Sequence, residues 1–474
     1  MVQPAVFIFR FNSINPRSKL MTVRFRLILF SLISTTLFLI STANLSASDS
    51  KAESEAELIS KLDLKEITGS EWWNEVRLAD LTGDNQLDMV VAAQRPGEMQ
   101  NVGTIYAMDI EGNILWTLGE PNEEHEAIYH DMPIQVHDLN NDGNPEVVYI
   151  DGEEIHILNG RTGELIRTGP LPDSDARDGM SFADFNGDGH RGNIVVKTRY
   201  TQVWALDPED FSVMWTYEGT VGHYPWPHDV RQNGYDELVI GHALIAHDGK
   251  VLWEADLPGH ADGVGILDLN GDGNLEIAVA TCGGATFNVL NVEGDILWTE
   301  PTRHAQHMIV GNFRPDTETK EVVGLDRGTD RSLEGQDRII VYSHDGEELW
   351  REERTDEGPE RWLSIISRMS NWDQEDRDLI LAYRRGADRK PELRDGYGGT
   401  VAQFPFPDLS LPNRAQRAQH ADILGDPRSE VLIWNARWIY VYGNGEEYAG
   451  SYEEPDRSLP NPRLHNYTHY IGMP

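Results

Sequence analysis

The residues best equipped to hold a hard cation are Asp268, Asn270, Asp272 and Glu276, at offsets 0, 2, 4 and 8 of the run Asp-Leu-Asn-Gly-Asp-Gly-Asn-Leu-Glu. Oxygen donors on a short loop that Gly273 can bend sharply suit calcium before magnesium, because calcium accepts irregular six- to eight-fold coordination. An EF-hand is spaced differently, with its last carboxylate at loop position twelve and helices on both sides. Here the flanks, Gly263-Val-Gly-Ile-Leu and Ile277-Ala-Val-Ala, are short and apolar. That is the pattern of two strands joined by a cation-binding turn.

The unit recurs. Asp80, Asp84 and Asp88 form one copy; Asp138, Asn140, Asp142 and Glu146 a second; Asp184, Asn186 and Asp188 a third. Weaker copies start at Asp229, Asn312, Asn371 and Asp422. Arg231 and Arg314 stand at the third loop position of two of them, where a guanidinium can replace the ion, so those two turns are expected to hold no calcium. The copies lie about 40 to 60 residues apart, a blade-sized period. A second signature follows most copies: a strand, a Gly-containing turn and a strand with Trp116, Trp215, Trp253, Trp298 or Trp350. Four strands per period predict an all-β, eight-bladed β-propeller with calcium-binding Asp-x-Asn-x-Asp-Gly loops, with seven blades as the alternative.

If each cation turn follows the innermost strand of its blade, the residues five to eight positions before it line a central funnel. They are Trp73 and Glu75; His130 and Asp131; Arg177 and Asp178; His223 and Tyr224; His260 and Asp262; His304, Gln306 and His307; Ser364, with Trp362 just beyond; Arg414 and Arg417. Imidazoles, carboxylates, guanidiniums and aromatics at one offset suit a sugar-binding or catalytic funnel. Their types fit β-elimination from a uronic-acid polysaccharide, which needs a cation on the sugar carboxylate, a base for the C5 proton and an acid for the leaving oxygen. In that reading His260 or His307 removes the proton, Tyr224 is the acid and Arg417 neutralises the carboxylate. Trp73, His130, Asp131, Asp178, His223, Asp262, His304 and Trp362 bind the substrate. Hydrolysis instead needs two opposed carboxylic acids, which Asp131, Asp178 and Asp262 could supply.

Residues 1–47 read as a secretory signal peptide: Arg24 and Arg26, an apolar run through Ile40, then small residues to Ala47, with Met21 as the expected start. Residues 1–48 hold five Lys or Arg and no acid, so their removal moves the net charge from −39 to −44. Such an acidic chain is expected to avoid nucleic acid and anionic membranes, and to be a secreted or periplasmic monomer. The lone Cys282 excludes an internal disulfide and reads as a core thiol. Residues 48–62 read as an acidic spacer and 63–474 as one propeller domain. Leu62–Ile67 is expected to be a strand that completes the last blade and closes the ring.

The run His420-Ala-Asp-Ile-Leu-Gly-Asp-Pro-Arg-Ser-Glu-Val431, the strand Trp438–Tyr442 and the ending His465–Pro474 resemble the C-terminal region of rhamnogalacturonan lyases of polysaccharide lyase family eleven. The resemblance implies a secreted, calcium-studded, eight-bladed propeller that cleaves the rhamnose–galacturonate backbone of pectin by elimination. Two other classes compete. One is a non-catalytic, calcium-dependent propeller that binds glycans or proteins. The other, a quinoprotein dehydrogenase suggested by Ala205–Asp210, lacks the adjacent cysteines of that class.

Overall fold

A computed structural model describes residues 54–69, 71, 74–94, 101–120, 133–327, 337–354, 364–373, 375–384, 390–406, 417–426 and 428–446. The expected signal segment, Trp73, His130, Asp131, Trp362, Arg414 and the His465–Pro474 ending lie outside the described residues.

Eight four-stranded antiparallel blades make up the fold. Blade five is typical, with strands Gly259–Leu267, Glu276–Gly283, Thr286–Leu290 and Ile296–Pro301. First strands of neighbouring blades lie against one another, which places them innermost. First and second strands are buried on both faces and read as continuous apolar runs, such as Glu146–Asp151. Outermost strands alternate between water and protein, as Val213–Glu218 does. The hydrophobic core is consequently divided into wedges between blades. Ala79, Val90, Ala107, Ile134 and Tyr149 share one wedge between blades one and two.

The recurrent tryptophans staple one blade to the next. Each indole donates to a carbonyl of the following blade's outer hairpin: Trp116 to Gly160 (2.7 Å), Trp215 to His247, Trp253 to Val292 and Trp298 to His344 (2.9 Å each). The ring also covers a turn glycine with positive φ. A Cβ on Gly249 (φ +82°) would stand 2.6 Å from Trp215 Cβ. The Gly-turn and the Trp of the repeat are thus two halves of one contact, made between successive copies.

The N-terminal strand closes the ring, in a different place from the one expected. Ser54–Asp63 pairs antiparallel with Trp438–Asn444, from Ala56 opposite Asn444 to Asp63 opposite Trp438. Ser54 and Glu55 also pair in parallel with Ala402 and Gln403 of blade seven. Most of the stretch read as spacer is therefore strand. Leu62–Ile67 does not continue it, because Asp63 caps a short helix, Leu64–Thr68, by accepting from Lys65 N, and Gly69 ends that helix in the left-handed region. Arg437 holds the junction, with Nη2 2.8 Å from Asp63 Oδ2. Among the described residues no helix is long and apolar enough to cross a bilayer.

Candidate functional site

The connection between first and second strands carries the Asp-rich turn in every blade, so all eight turns share one face. In the turn at Asp138, its carboxylate accepts from Asp142 N (3.0 Å) and Gly143 N (2.9 Å). Asn140 accepts from Asp142 N, and Glu146 from Leu139 N at 2.8 Å. The turn at Asp268 repeats this with Asn270, Asp272 and Glu276. At Asp80, the carboxylate gathers the amides of Gly83, Asp84 and Asn85, and Asp88 accepts from Leu81 and Thr82. At Asp184, Gly187, Asp188 and Gly189 donate to it, Asn186 sits inside the loop, and Asn193 takes the terminal acid's place. Burial, then repulsion from Asp142 and Asp138, pushes the Glu146 carboxyl up to about 7. Burial, then Asp84 and Asp80, pushes Asp88 up to about 6. Such crowded all-oxygen donor sets fit a hard divalent cation.

Other turns carry their own positive charge. Arg231 Nε lies 3.0 Å from Glu237, Arg377 2.7 Å from Asp373, and Arg428 3.0 Å from Asp426. Arg314 lies over the Tyr397 ring, 4.5 Å from its centroid.

Among the described residues the opposite face is unrepeated. There, at the funnel, Asp262 gathers side chains from three blades. Its Oδ1 lies 3.0 Å from His260 Nε2 and 3.3 Å from His223 Nε2. Its Oδ2 accepts from Gln306 Nε2 at 2.5 Å, and Gln306 Oε1 accepts from Arg327 at 3.0 Å. The local cause is a pair of bulges. Register shifts between Ala261 and Gly263 in blade five, and between Ala305 and His307 in blade six. An unpaired bulge residue is turned out of the regular pleat, so Asp262 and Gln306 meet across the gap between blades.

Cys282, opposite His260 in the neighbouring strand, extends the group, with its Sγ 2.9 Å from His304 Nε2. Burial and the Asp262 charge push the thiol up to about 12. Burial and the Arg327 guanidinium push the His304 imidazole down, against the pull of Asp262 and Asp326. The ligand atoms of His223, His260 and Asp262 lie within 4.8 Å of one another, as do those of Asp262, Cys282 and His304.

The remaining expected site residues lie elsewhere. Tyr224 is buried in the apolar core with Trp226 and Val264. His307 is 2% exposed in the first strand of blade six. Arg417 is buried, with its Nε 2.7 Å from Glu75 Oε1, and Glu75 Oε2 lies 3.7 Å from Arg77. A guanidinium already neutralised in this way is poorly placed to meet a second carboxylate. Asp178 is buried beside Arg199 (3.5 Å) and Lys197 (3.9 Å). Arg177 donates to Asn101 and Gly152. His223, His260, Asp262, His304 and Gln306 are therefore the funnel residues that converge.

Position before the turn did not reveal Lys197, Arg199, Tyr200, Cys282 or Arg327, because these lie at the ends of second strands or in the hairpin that follows them. That hairpin reaches the same face by the alternation of strand direction. One signal was present: Lys197 ends the apolar run Ile194-Val-Val, an anomalous charge for an interior strand.

An FG-GAP-like repeat matches residues 138–191. No curated protein sequence matches the chain. Among solved structures, the exotype rhamnogalacturonan lyase YesX is similar at 16% identity and a TM-score of 0.60, over 89% of this chain and 80% of that one. A Bacillus licheniformis rhamnogalacturonan lyase is similar at 17% identity and TM-score 0.60, over 84% and 76% respectively. The V. cholerae biofilm matrix protein Bap1 follows at 13% identity and TM-score 0.54, over 90% and 98%. At such identities the likeness carries the fold alone, a β-propeller, within which residues 138–191 match an FG-GAP-like repeat.

Proposed function

We propose that this protein is an exported polysaccharide lyase that cleaves a uronic-acid polymer of the rhamnogalacturonan type by β-elimination. One observation carries the reading: His223, His260 and Asp262 converge at the funnel, fixed by Gln306 and Arg327, in a ring whose blades otherwise repeat. Two imidazoles and a carboxylate are a donor set for a divalent cation. When bound, such a cation supplies neutralisation of the uronate carboxylate, which acidifies the C5 proton. Asp262 is 5% exposed, and its hydrogen bond from Gln306 fixes the carboxylate before substrate arrives. Calcium in the turns at Asp80, Asp138, Asp184 and Asp268 belongs to the same proposal, as a stabilising ion on the far face.

Incubation with rhamnogalacturonan and with other uronate polymers tests the activity through the ultraviolet absorbance of the unsaturated uronate product. Growth of that absorbance, lost in His260→Ala and Asp262→Asn, is expected. A propeller that only binds glycan or protein gives retention on the polymer with no absorbance change, and that result overturns the lyase reading.

A further inference from the structure

Cys282, the chain's one cysteine, is half-buried near the end of its strand, with its Sγ 2.9 Å from His304 Nε2. Asp262 completes a group of three whose ligand atoms lie within 4.8 Å of one another. A thiol–imidazole hydrogen bond accounts for the first two residues. It does not account for the third. Asp262 is 5% exposed, and its Oδ1 receives no hydrogen bond from either imidazole, although His260 Nε2 and His223 Nε2 stand 3.0 and 3.3 Å away. A buried carboxylate oxygen in that position is costly unless another group satisfies it, and a cation does so.

The three donors are held in place from behind. Arg303 N and His304 N donate to Asp326 Oδ1 at 3.0 and 2.8 Å, and the His304 carbonyl accepts from Arg327 N at 2.9 Å. Asp326 is fully buried and paired with Arg338. Across the hairpin, a Cβ on Gly259 (φ +73°) would stand 2.1 Å from the Cys282 carbonyl, so glycine alone allows the two strands to approach there. Gln306 fixes the other oxygen of Asp262. Such outer partners orient ligands before a metal arrives.

We propose that Asp262, Cys282 and His304 form a site for a thiophilic divalent cation of the zinc class, distinct in chemistry from the all-oxygen turns on the far face. Sulfur and imidazole donors select zinc, whereas calcium takes oxygen. Zinc–sulfur and zinc–nitrogen bonds at a tetrahedral angle place the two donor atoms roughly 3.6 Å apart, so the thiol and imidazole part by roughly half an ångström to admit the ion. The metal–sulfur bond forms as the thiol proton leaves to solvent. Three protein ligands leave a fourth position for water or a substrate oxygen. The hard and soft donor sets share Asp262, so an ion here also fixes the carboxylate that His223 and His260 face. The assignment stands apart from the lyase reading.

A single thiol makes the test direct. The protein is kept in calcium to fill the turns, and alkylation of Cys282 by iodoacetamide is followed by mass with and without zinc. Zinc at ten times its Kd should slow alkylation roughly tenfold, since only unoccupied protein reacts. Further calcium should not slow it, and His304→Ala should lose the protection. Cobalt in place of zinc should give a thiolate-to-metal charge-transfer band that Cys282→Ser lacks. A wild-type alkylation rate unchanged by zinc overturns the site, whatever the variants do, as does an identical cobalt spectrum in Cys282→Ser. Unsaturated uronate formed by a protein without zinc protection overturns this site and leaves the lyase reading standing. Zinc protection in a protein that forms no product does the reverse.

Discussion

The two faces of this ring are built on opposite principles. The turn face repeats one device eight times, a loop led by Asp in six copies and by Asn in two, with an arginine paired to the loop's own acids in several of the degraded copies. Among the described residues the funnel face repeats nothing. Blades three to six supply Tyr200, His223, His260 with Asp262, and Gln306 once each, while the first strands of blades one and eight fill their part of the centre with the buried Glu75–Arg77–Arg417 group. Repetition suits stability, since every interface between blades needs the same staple. A reaction needs each role filled once, and a symmetric scaffold provides that only where its symmetry is broken.

Changes to the repeated scaffold should therefore alter stability, and changes to the cluster should alter turnover. The largest expected effect is on closure. Deleting residues 49–70 removes the fourth strand of the last blade and the Asp63–Arg437 ion pair, and exposes the Trp438–Asn444 edge. Loss of soluble, cooperatively melting protein is expected; a truncated chain that melts like the parent would show that seven complete blades suffice.

Next comes the cluster itself. Asp262→Asn removes the charge that His223 and His260 share, and turnover should fall by roughly 10²-fold or more. Its melting temperature should stay within a few degrees of wild type. A large drop in stability with little loss of activity would mean the cluster is another structural staple, and the contrast between the faces would collapse.

Chelation should act on stability through the turns, besides stripping the cation proposed for the funnel cluster. Each calcium bound only by the folded chain adds about 2.7 kcal/mol when its concentration is 100 times Kd. Metal removal from the turns at Asp80, Asp138, Asp184 and Asp268 should lower the melting temperature by several degrees. Asp138→Ala should reduce that calcium-dependent shift, whereas Asp229→Ala should not, because Arg231 already pairs with Glu237 in that turn. Melting curves with and without calcium distinguish the two.

The smallest effect concerns Asp63. Burial raises its carboxyl, but Arg437 and the helix amides outweigh that and hold it below its ordinary range. A carboxyl depressed in the folded state contributes stability above its unfolded value, near 3.9, and loses it as pH falls through the folded value. Asp63→Asn should cost about 1 kcal/mol at neutral pH. Once pH has fallen below that folded value, the difference in melting temperature from wild type should vanish. A pH-independent difference would assign the effect to the cap alone.

How much was legible follows the same division. The eight turns, the strand–turn–strand period and the Trp-containing outer strands are local patterns, and each could be read from a few consecutive residues. Closure was legible in kind but not in place, because Leu62–Ile67 alternates like a strand while Asp63 and Gly69 cap it as a helix. Within the funnel, equal spacing before the turn identified His223, His260, Asp262, His304 and Gln306. It identified Tyr224, His307 and Arg417 equally well, and the structure packs Tyr224 into the apolar core and pairs Arg417 with Glu75. Spacing places a residue at a height on the innermost strand; it does not say which way the side chain leaves that strand.

The sequence by itself determined the architecture: an all-β propeller, read as eight blades with seven as the alternative, the face that carries the Asp turns, and the N-terminal segment as the source of the closing strand. It could do so because repeats write the same local energetics many times, and each copy checks the others. Only the tertiary structure decided which polar groups meet. The bulges at Asp262 and Gln306 turn two side chains toward each other across a gap between blades, and Glu75 captures Arg417 from the blade on the other side of the closure. Lys197 and Tyr200 join the site through a hairpin that shares no spacing with it. Bulges shift register by one residue, which reverses the direction of a side chain while leaving the apolar pattern of the strand almost unchanged.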